Sequence, residues 1–400
     1  MDILIISHFG STYSENDNDR FLYLAKKLCA TNQVEIITSS FCHEKKNHRL
    51  TAQKEWPFKL TFLNEIGYKK NVCLKRFLSH FIWGINVKKY LKERKVPDVV
   101  YCAVPSLTGP YWVAKYCKKN NVKFIIDIQD LWPEAFKMVF NTPLLSDLIF
   151  SPFTYLANYI YKSADEIVAV SKTYVDRALK VNKKCSVAYP VFLGTDLDTF
   201  DNNVTHGLKI EKNKEEIWIG YCGTLGSSYD LTCVFDALKK IKTKRGKSPK
   251  FIIMGDGPLL SQFKRYSENL SIEATFMGRM PYDEMCSYIS ECDIAVNPIV
   301  ADAAQSIINK HADYVASGIP IISTQESEEF RKLINKYKMG INCANGNVAE
   351  LADAIMYLMD NSQERINMGI NARKCAEEQF DRKQSYKKII NVILNQKSKK

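Results

Sequence analysis

A lysine and an aspartate on one short helix, two glycine turns and three carboxylates behind an apolar strand are where this sequence could do chemistry. In Gln305–Thr324 (QSIINKHADYVASGIPIIST) a polar loop runs into a helical stretch bearing Lys310 and Asp313. Ser317-Gly318 ends that stretch and a buried strand follows Pro320. The first turn of a helix offers unpaired N–H groups and a positive dipole end, so it suits phosphate. Lys310 falls in that turn, where a cation is unfavourable unless an anion lies beside it. Asp313, one turn on, has the chemistry to accept hydrogen bonds from ribose hydroxyls. The same helix-Gly-Pro-strand order is also ordinary punctuation between a helix and a strand.

Gly220–Gly226 (GYCGTLG) stands between a strand and a helix, and its small residues let a ligand approach the backbone. It lacks the Gly-Lys-Ser/Thr of a P-loop and the spacing of a dinucleotide fingerprint. Gly255-Asp256-Gly257-Pro258 forms a second tight turn, which reads as structural. In Ile125–Glu134 (IIDIQDLWPE), Asp127, Asp130 and Glu134 crowd the end of an apolar strand. They could serve as acids, bases or hydroxyl acceptors; equally, Asp130 could cap a corner packed by Trp132 and Pro133. The six histidines show no metal-ligand spacing, and no H-E-x-x-H or D-x-D occurs, so no catalytic metal is expected.

These residues need a frame, and the pattern of apolar runs supplies one. Short β-type runs alternate with helical patterns throughout, the mark of parallel α/β sheets. Strands are expected at Asp2–Ser7, Gln33–Ser40, Asp98–Val104, Lys123–Asp127, Glu166–Ser171 and Ser186–Pro190, and again at Ile217–Cys222, Lys250–Gly255, Ala274–Gly278, Asp293–Pro298, Ile319–Thr324 and Met339–Cys343. A polar stretch from Thr195 to Glu216 suggests two doubly wound domains, 1–195 and 196–380, with 381–400 packing back on the first. The length of 400 residues suits two such cores. Ligands then bind beyond the carboxyl ends of the strands, with a cleft between domains as the expected site.

Net charge is +12. Residues 1–195 hold 28 Lys and Arg against 17 Asp and Glu, whereas 196–400 hold 28 against 27. The first half therefore faces either solvent or an anionic partner. Val72–Lys95 has Leu74, Phe77, Leu78, Phe81, Ile82 and Ile85 at helical spacing between basic residues. It is either a core helix or a contact with anionic membrane, with Trp83 at the headgroups. No run approaches bilayer-spanning length, no signal segment is visible, and the 12 cysteines form no C-x-x-C pair. The expectation is a cytoplasmic protein with reduced thiols, peripheral to the membrane at most.

The ordered set IIDIQDLWPE, EIVAVSK, YPVFLGTDLDTF, IGYCGTLG with IIMGDGP, and ATFMGRMPYDEMCSYISECDIAVNPI leading into NKHADYVASGIPIIS resembles retaining glycosyltransferases of family 4. The nearest branch builds bacterial capsules, O-antigens and exopolysaccharides. The resemblance implies a GT-B fold, α/β with two Rossmann-like domains facing across a cleft. It implies transfer of a hexose or N-acetylhexosamine, UDP-linked by preference, to a glycan or polyprenyl-diphosphate-linked acceptor, with no metal or other cofactor and no nucleic acid as partner. Gly223 and Thr224 would approach the diphosphate, and Gly278 and Arg279 the base. Ser306, Asn309 and Lys310 would wrap the diphosphate and sugar, Asp313 would hold the ribose, and Asp130 would face the sugar. Gln305 stands where the family's first paired glutamate falls, and Gln129 replaces its usual histidine. The Arg and Lys that commonly follow the first turn are absent. Two other classes remain open: a nucleotide-sugar epimerase or hydrolase of the same fold, and a non-catalytic glycan or polyanion binder.

Overall fold

The computed structural model describes residues 1–12, 19–49, 56–71, 73–137, 143–185, 187–301 and 307–395. The chain forms two compact units, Met1–Phe192 with Tyr386–Lys400, and Leu193–Ser385.

Unit one is built on seven strands in the order Lys59–Leu63, Gln33–Ser39, Asp2–Ile6, Val99–Val104, Lys123–Ile128, Glu166–Ala169 and Ala188–Pro190. Every neighbouring pair is parallel, as in Ile3 against Val34 on one side and Val99 on the other. Val99–Val104 and Lys123–Ile128 are buried along their whole length, which explains their unbroken apolar character: helices cover both faces. The edge strand Lys59–Leu63 and the hairpin Phe41–Cys42 with Asn47–His48 lie outside the strands expected from sequence. Lys59–Leu63 is half-exposed and the hairpin strands are two residues each, so neither offers a clear apolar run to read.

The C-terminal helix Lys387–Leu394 belongs to this unit. Ile389, Val392, Ile393 and the preceding Tyr386 join the core formed by Ile3, Ile5, Val99 and Tyr101. Lys123 ties the helix down, its Nζ donating to the carbonyls of Val392 (2.5 Å) and Asn395 (2.6 Å).

The helix Leu74–Glu93 buries a different face from the one its apolar residues suggest. Arg76, Ser79, His80, Trp83, Gly84 and Val87 point inward, while Leu74, Leu78 and Phe81 are exposed by 86%, 52% and 51%. Trp83, which only the membrane reading of this helix put at the headgroups, is wholly buried and stacks on His8 with centroids 4.0 Å apart. Polar partners inside the unit explain the inversion: a helix face rich in His, Ser and Arg buries well where each can hydrogen-bond or stack.

Unit two has six parallel strands in the order Ala274–Gly278, Lys250–Met254, Trp218–Cys222, Ile294–Asn297, Ile321–Ser323 and Gly340–Asn342. Phe235, Leu238, Phe251, Ile253, Leu351 and Ile355 form its main core. The polar stretch after Thr195 lies in this unit and includes the helix Leu197–His206, started by Asp196 accepting from the Thr199 N–H.

One buried charge pair anchors unit one. Arg20 donates to Asp127 (3.1 Å) and to the Val191 carbonyl (2.9 Å), and the Tyr101 hydroxyl donates to the other Asp127 oxygen (2.8 Å). Removing Arg20 strands a carboxylate in the core. Arg20→Ala is expected to cost about 3–5 kcal/mol in urea unfolding, and Arg20→Met with Asp127→Leu to recover much of that loss.

Candidate functional site

In unit two the residues singled out from sequence converge at the carboxyl edge of the sheet. Gly223 follows the strand Trp218–Cys222 in a left-handed conformation (φ +135°), its N–H donating to the Met254 carbonyl at 2.9 Å. A Cβ on Gly255 would fall 1.8 Å from the Gly223 carbonyl oxygen, so the Gly255 turn must be a glycine to seat the first loop. The chain from Gly255 bridges to Gly278, itself at φ +72°. Three loops, each behind a neighbouring strand, thus stack backbone on backbone. Thr224 and Arg279 are exposed beside them.

The helix Asn309–Ala316 starts after Ile308, which puts Asn309 at its exposed first position and Lys310 at the second. Lys310 is buried. Its Nζ lies 4.0 Å from the ring centroid of Tyr221 and 3.7 Å from that of Tyr229. A Cβ added to Gly223 would stand 3.0 Å from that same Nζ. The two aromatic faces stabilise a cation there, yet the amine has no hydrogen-bond partner among the described residues. Burial pushes its pKa down to about 7, only partly opposed by Cys222. Tyr221 is fixed in turn by donating to the Thr224 carbonyl at 2.8 Å. A buried amine with aromatic walls and no anion can receive one: an incoming phosphate oxygen would complete its hydrogen bonds and restore its proton.

Asp313 lies one turn further on and is half-buried. It accepts from the Tyr282 hydroxyl at 2.8 Å, and Tyr282 also pairs with Thr195 at 2.8 Å. Burial raises its pKa to about 6 against the Tyr282 hydrogen bond. Tyr282 had no signal in the sequence; it comes from a neighbouring helix. Gln305 and Ser306 lie outside the described residues.

In unit one, Asp130 accepts from its neighbours, the Leu131 N–H (2.9 Å) and the Trp132 indole N–H (3.0 Å). Burial raises its pKa despite both bonds. This is the geometry of a corner cap, at the carboxyl end of Lys123–Ile128. Asp127 is held in the core, and Glu134 pairs with Arg177 (2.5 Å).

A polar network at the same sheet edge was not legible in the sequence. His8 follows the strand Asp2–Ile6, Glu65 follows Lys59–Leu63, and Ser106 follows Val99–Val104. His8 Nε2 meets Glu65 at 2.8 Å and Nδ1 meets Ser106 Oγ at 2.6 Å. Glu65 also accepts from Ser39 and Ser79, both at 2.5 Å. Burial alone would raise the Glu65 pKa, but these bonds hold it down to about 2. An ionised Glu65 assigns the proton to Nε2, so Nδ1 accepts from Ser106. Burial keeps His80 and His43 neutral, the latter down to about 3 with help from Lys46 and Arg76. The partners lie 57 and 98 residues apart, so spacing offered no clue. The only usable signal was a histidine directly behind the first strand.

The ligand atoms of His8, Glu65 and His80 lie within 4.8 Å of one another, close enough to consider a metal. The chemistry fits poorly. Both His8 nitrogens and the Glu65 oxygens are already bonded, and Arg49, Arg76 and Lys46 make the surroundings positive. The cluster is a satisfied hydrogen-bond network, and its donor set does not suit a cation.

Two doubly wound parallel sheets are the fold of GT-B glycosyltransferases, and comparison with known proteins agrees. Residues 207–375, which contain Gly223, Gly255, Gly278, Tyr282, Lys310 and Asp313, match the family model described as glycosyl transferases group 1. Among curated proteins the chain is similar to the uncharacterized glycosyltransferases MJ1178 and MJ1069 of Methanocaldococcus jannaschii. Identity is 23% over 59% of this chain and 60% of the first, and 24% over 60% and 62% for the second. The chain thus spans about three fifths of the length of the curated relatives it matches. Among solved structures, Anabaena Alr3699/HepE in complex with UDP superposes with a TM-score of 0.69 at 15% identity, over 98% of this chain and 99% of that one. WaaG, a glycosyltransferase involved in lipopolysaccharide biosynthesis, gives 0.67 at 14%, over 98% and 100%. Sucrose-phosphate synthase of Thermosynechococcus elongatus gives 0.73 at 14%, over 98% and 97%.

The Lys310 site makes a pH signature. An unfolded lysine takes its proton at 10.5 and the folded one only near 7, so between these values the unfolded chain holds more protons. Stability from this group therefore climbs as pH rises from about 7 toward 10.5. Asp313 acts oppositely at lower pH: its folded pKa of about 6 exceeds the ordinary 3.8, so its contribution falls across that window as pH rises. In urea titrations the wild type should exceed Lys310→Met in slope by up to about 1.4 kcal/mol per pH unit between about pH 8 and 10. Parallel curves for the two proteins would show that the amine is ordinarily charged.

Proposed function

We propose that this protein is a glycosyltransferase that moves a sugar from a nucleotide-diphosphate donor, UDP-linked by preference, to a glycan or lipid-linked glycan. The observation that carries the proposal is the buried Lys310 amine, set against Gly223 and between two tyrosine rings, with no hydrogen-bond partner among the described residues. The match over residues 207–375 and the UDP bound in the HepE complex support the same assignment.

In this mechanism Lys310 takes up a proton as the diphosphate enters and neutralises charge that grows on the leaving group. The N–H groups of Asn309 and Thr224 bind phosphate oxygens. Gly278 and Arg279 lie against the base, largely through backbone. Asp313 meets the ribose with the oxygen that Tyr282 does not use. The family resemblance would add Ser306 and Gln305 to the diphosphate and sugar contacts, and Asp130 to those of the sugar. Retention of configuration follows from the family 4 resemblance: the departing phosphate acts as base for the acceptor hydroxyl while the site stabilises an oxocarbenium-like sugar. The protein contributes mainly positioning and charge. No cofactor enters this scheme.

The acceptor belongs to cell-surface polysaccharide synthesis and sits at the cytoplasmic face of the membrane. No helix among the described residues is long and apolar enough to cross a membrane. The support for a peripheral contact is the exposed Leu74, Leu78 and Phe81 on one helix and Leu148 and Ile149 on another, flanked by Lys69, Lys70 and Lys75. Phe77 and Phe153, with centroids 5.3 Å apart, join the two helices beneath.

Lys310→Ala should weaken UDP or UDP-sugar binding, or turnover, at least tenfold, about 1.4 kcal/mol, in calorimetry and a radiolabelled transfer assay. Unchanged binding and turnover would remove the phosphate role. For the membrane edge, Leu78→Asp with Phe81→Asp should abolish co-sedimentation with phosphatidylglycerol vesicles at low salt. Retained sedimentation would place the contact elsewhere.

A further inference from the structure

Two neighbouring helices of unit one, Thr108–Asn120 and Pro143–Ser163, repeat one short pattern. Tyr111, Lys115 and Lys118 on the first, and Tyr155, Tyr159 and Lys162 on the second, each fall at i, i+4 and i+7. That spacing sets each trio on one helix face. The faces meet: Tyr111 lies 5.0 Å from Tyr159 and 5.4 Å from Trp112, and Tyr155 lies 6.4 Å from Tyr159, centroid to centroid. Lysines lie over these rings, Lys88 Nζ 3.8 Å from the Trp112 centroid and Lys115 Nζ 4.6 Å from that of Tyr111. Tyr155 is 62% exposed. Beyond Tyr159 the surface sinks into a cavity of about 500 Å³ lined in part by Lys118, Asn121, Lys162, Asp165 and Lys184. It opens at the amino ends of Lys123–Ile128 and Glu166–Ala169, the opposite end of the sheet from His8, Ser106 and Asp130.

We propose that this aromatic-lysine strip and its cavity bind an acidic polysaccharide, at a place separate from the transfer site. Aromatic faces stack on the C–H faces of sugar rings, lysines pair with carboxylates, and Asn121, Ser163 and Asp165 give the cavity donors and acceptors suited to hydroxyls. Lys118 and Lys162 also stand in the last turns of their helices, where the dipole favours cations. That effect does not account for Lys88 or Lys115, whereas Lys184 is paired with Asp165.

Two other partners fit less well. A lipid surface needs exposed aliphatic groups, and those gather elsewhere, at Leu74, Leu78 and Phe81 on the helix Leu74–Glu93 and at Leu148 and Ile149 near the start of Pro143–Ser163. A nucleic-acid strand needs ring faces that take successive bases in parallel. Here Tyr111 crosses Trp112 at 67° and Tyr159 at 60°. A chain held on this strip would keep its growing end at high local concentration near the enzyme. The inference extends the glycan chemistry proposed above, and its test uses no donor, so either proposal can fail alone.

The experiment titrates the full-length protein with an oligogalacturonate by calorimetry and by Trp fluorescence. A malto-oligosaccharide of equal length, oligothymidylate and phosphatidylglycerol vesicles are titrated in parallel. The acidic oligosaccharide should bind and the neutral one bind at least tenfold more weakly. Lys115→Ala with Tyr155→Ala, and separately Lys118→Ala with Lys162→Ala, should each weaken binding at least tenfold with unchanged Tm and unchanged UDP affinity. No binding by the wild type, equal affinity for the neutral chain, or full affinity in both double variants overturns the proposal. Tighter, variant-sensitive binding of oligothymidylate or vesicles reassigns the strip to nucleic acid or lipid.

Discussion

A primary amine kept from water without an anion is the constraint around which unit two is arranged. Lys310 sits on the second residue of its helix, where the dipole also disfavours it. Tyr221 and Tyr229 offset part of that cost with their ring faces, and the bare Gly223 backbone leaves room for the amine. Each of these depends on something further back. Tyr221 is held through Thr224, and the Gly223 turn is seated on Gly255, which bridges Gly278. Three sheet edges are thus locked to one another so that a single charge can wait for its partner.

Unit one solves its electrostatics the other way. Its buried charges are already matched: Arg20 with Asp127, and Glu65 with two serines and His8. Matched groups in a low-dielectric interior specify the packing of the elements that carry them. The His8–Ser106 contact joins two sheet edges and the turn into the helix Thr108–Asn120. The same logic buries Trp83 and the polar face of Leu74–Glu93, and pushes that helix's leucines outward.

Much of the frame was legible in the residues. All twelve expected strands match observed ones to within two residues at either end, and Ala274–Gly278 coincides. Strands buried on both faces declare themselves as apolar runs, because nothing else is tolerated there. The half-exposed edge strand Lys59–Leu63 carries no such mark. In the candidate site, Lys310 and Gly223 were legible because helix starts and glycine turns have local signatures. Tyr229 and Tyr282 were not, since each reaches its partner from another element. Asp130 carried two readings in the sequence, and it accepts from the Leu131 N–H and the Trp132 indole.

What the sequence determined alone is therefore local: the alternation of strands and helices, the turns that only glycine can make, and the placing of a lysine at a helix start. These follow from sterics and hydrogen bonding within a few residues. Only the tertiary structure decided that this lysine would lose its water between two tyrosines, that His8, Glu65 and Ser106 would meet, and which face of Leu74–Glu93 would be buried. Those outcomes depend on desolvation and pairing between groups far apart in the chain, and no local pattern encodes which of them come together.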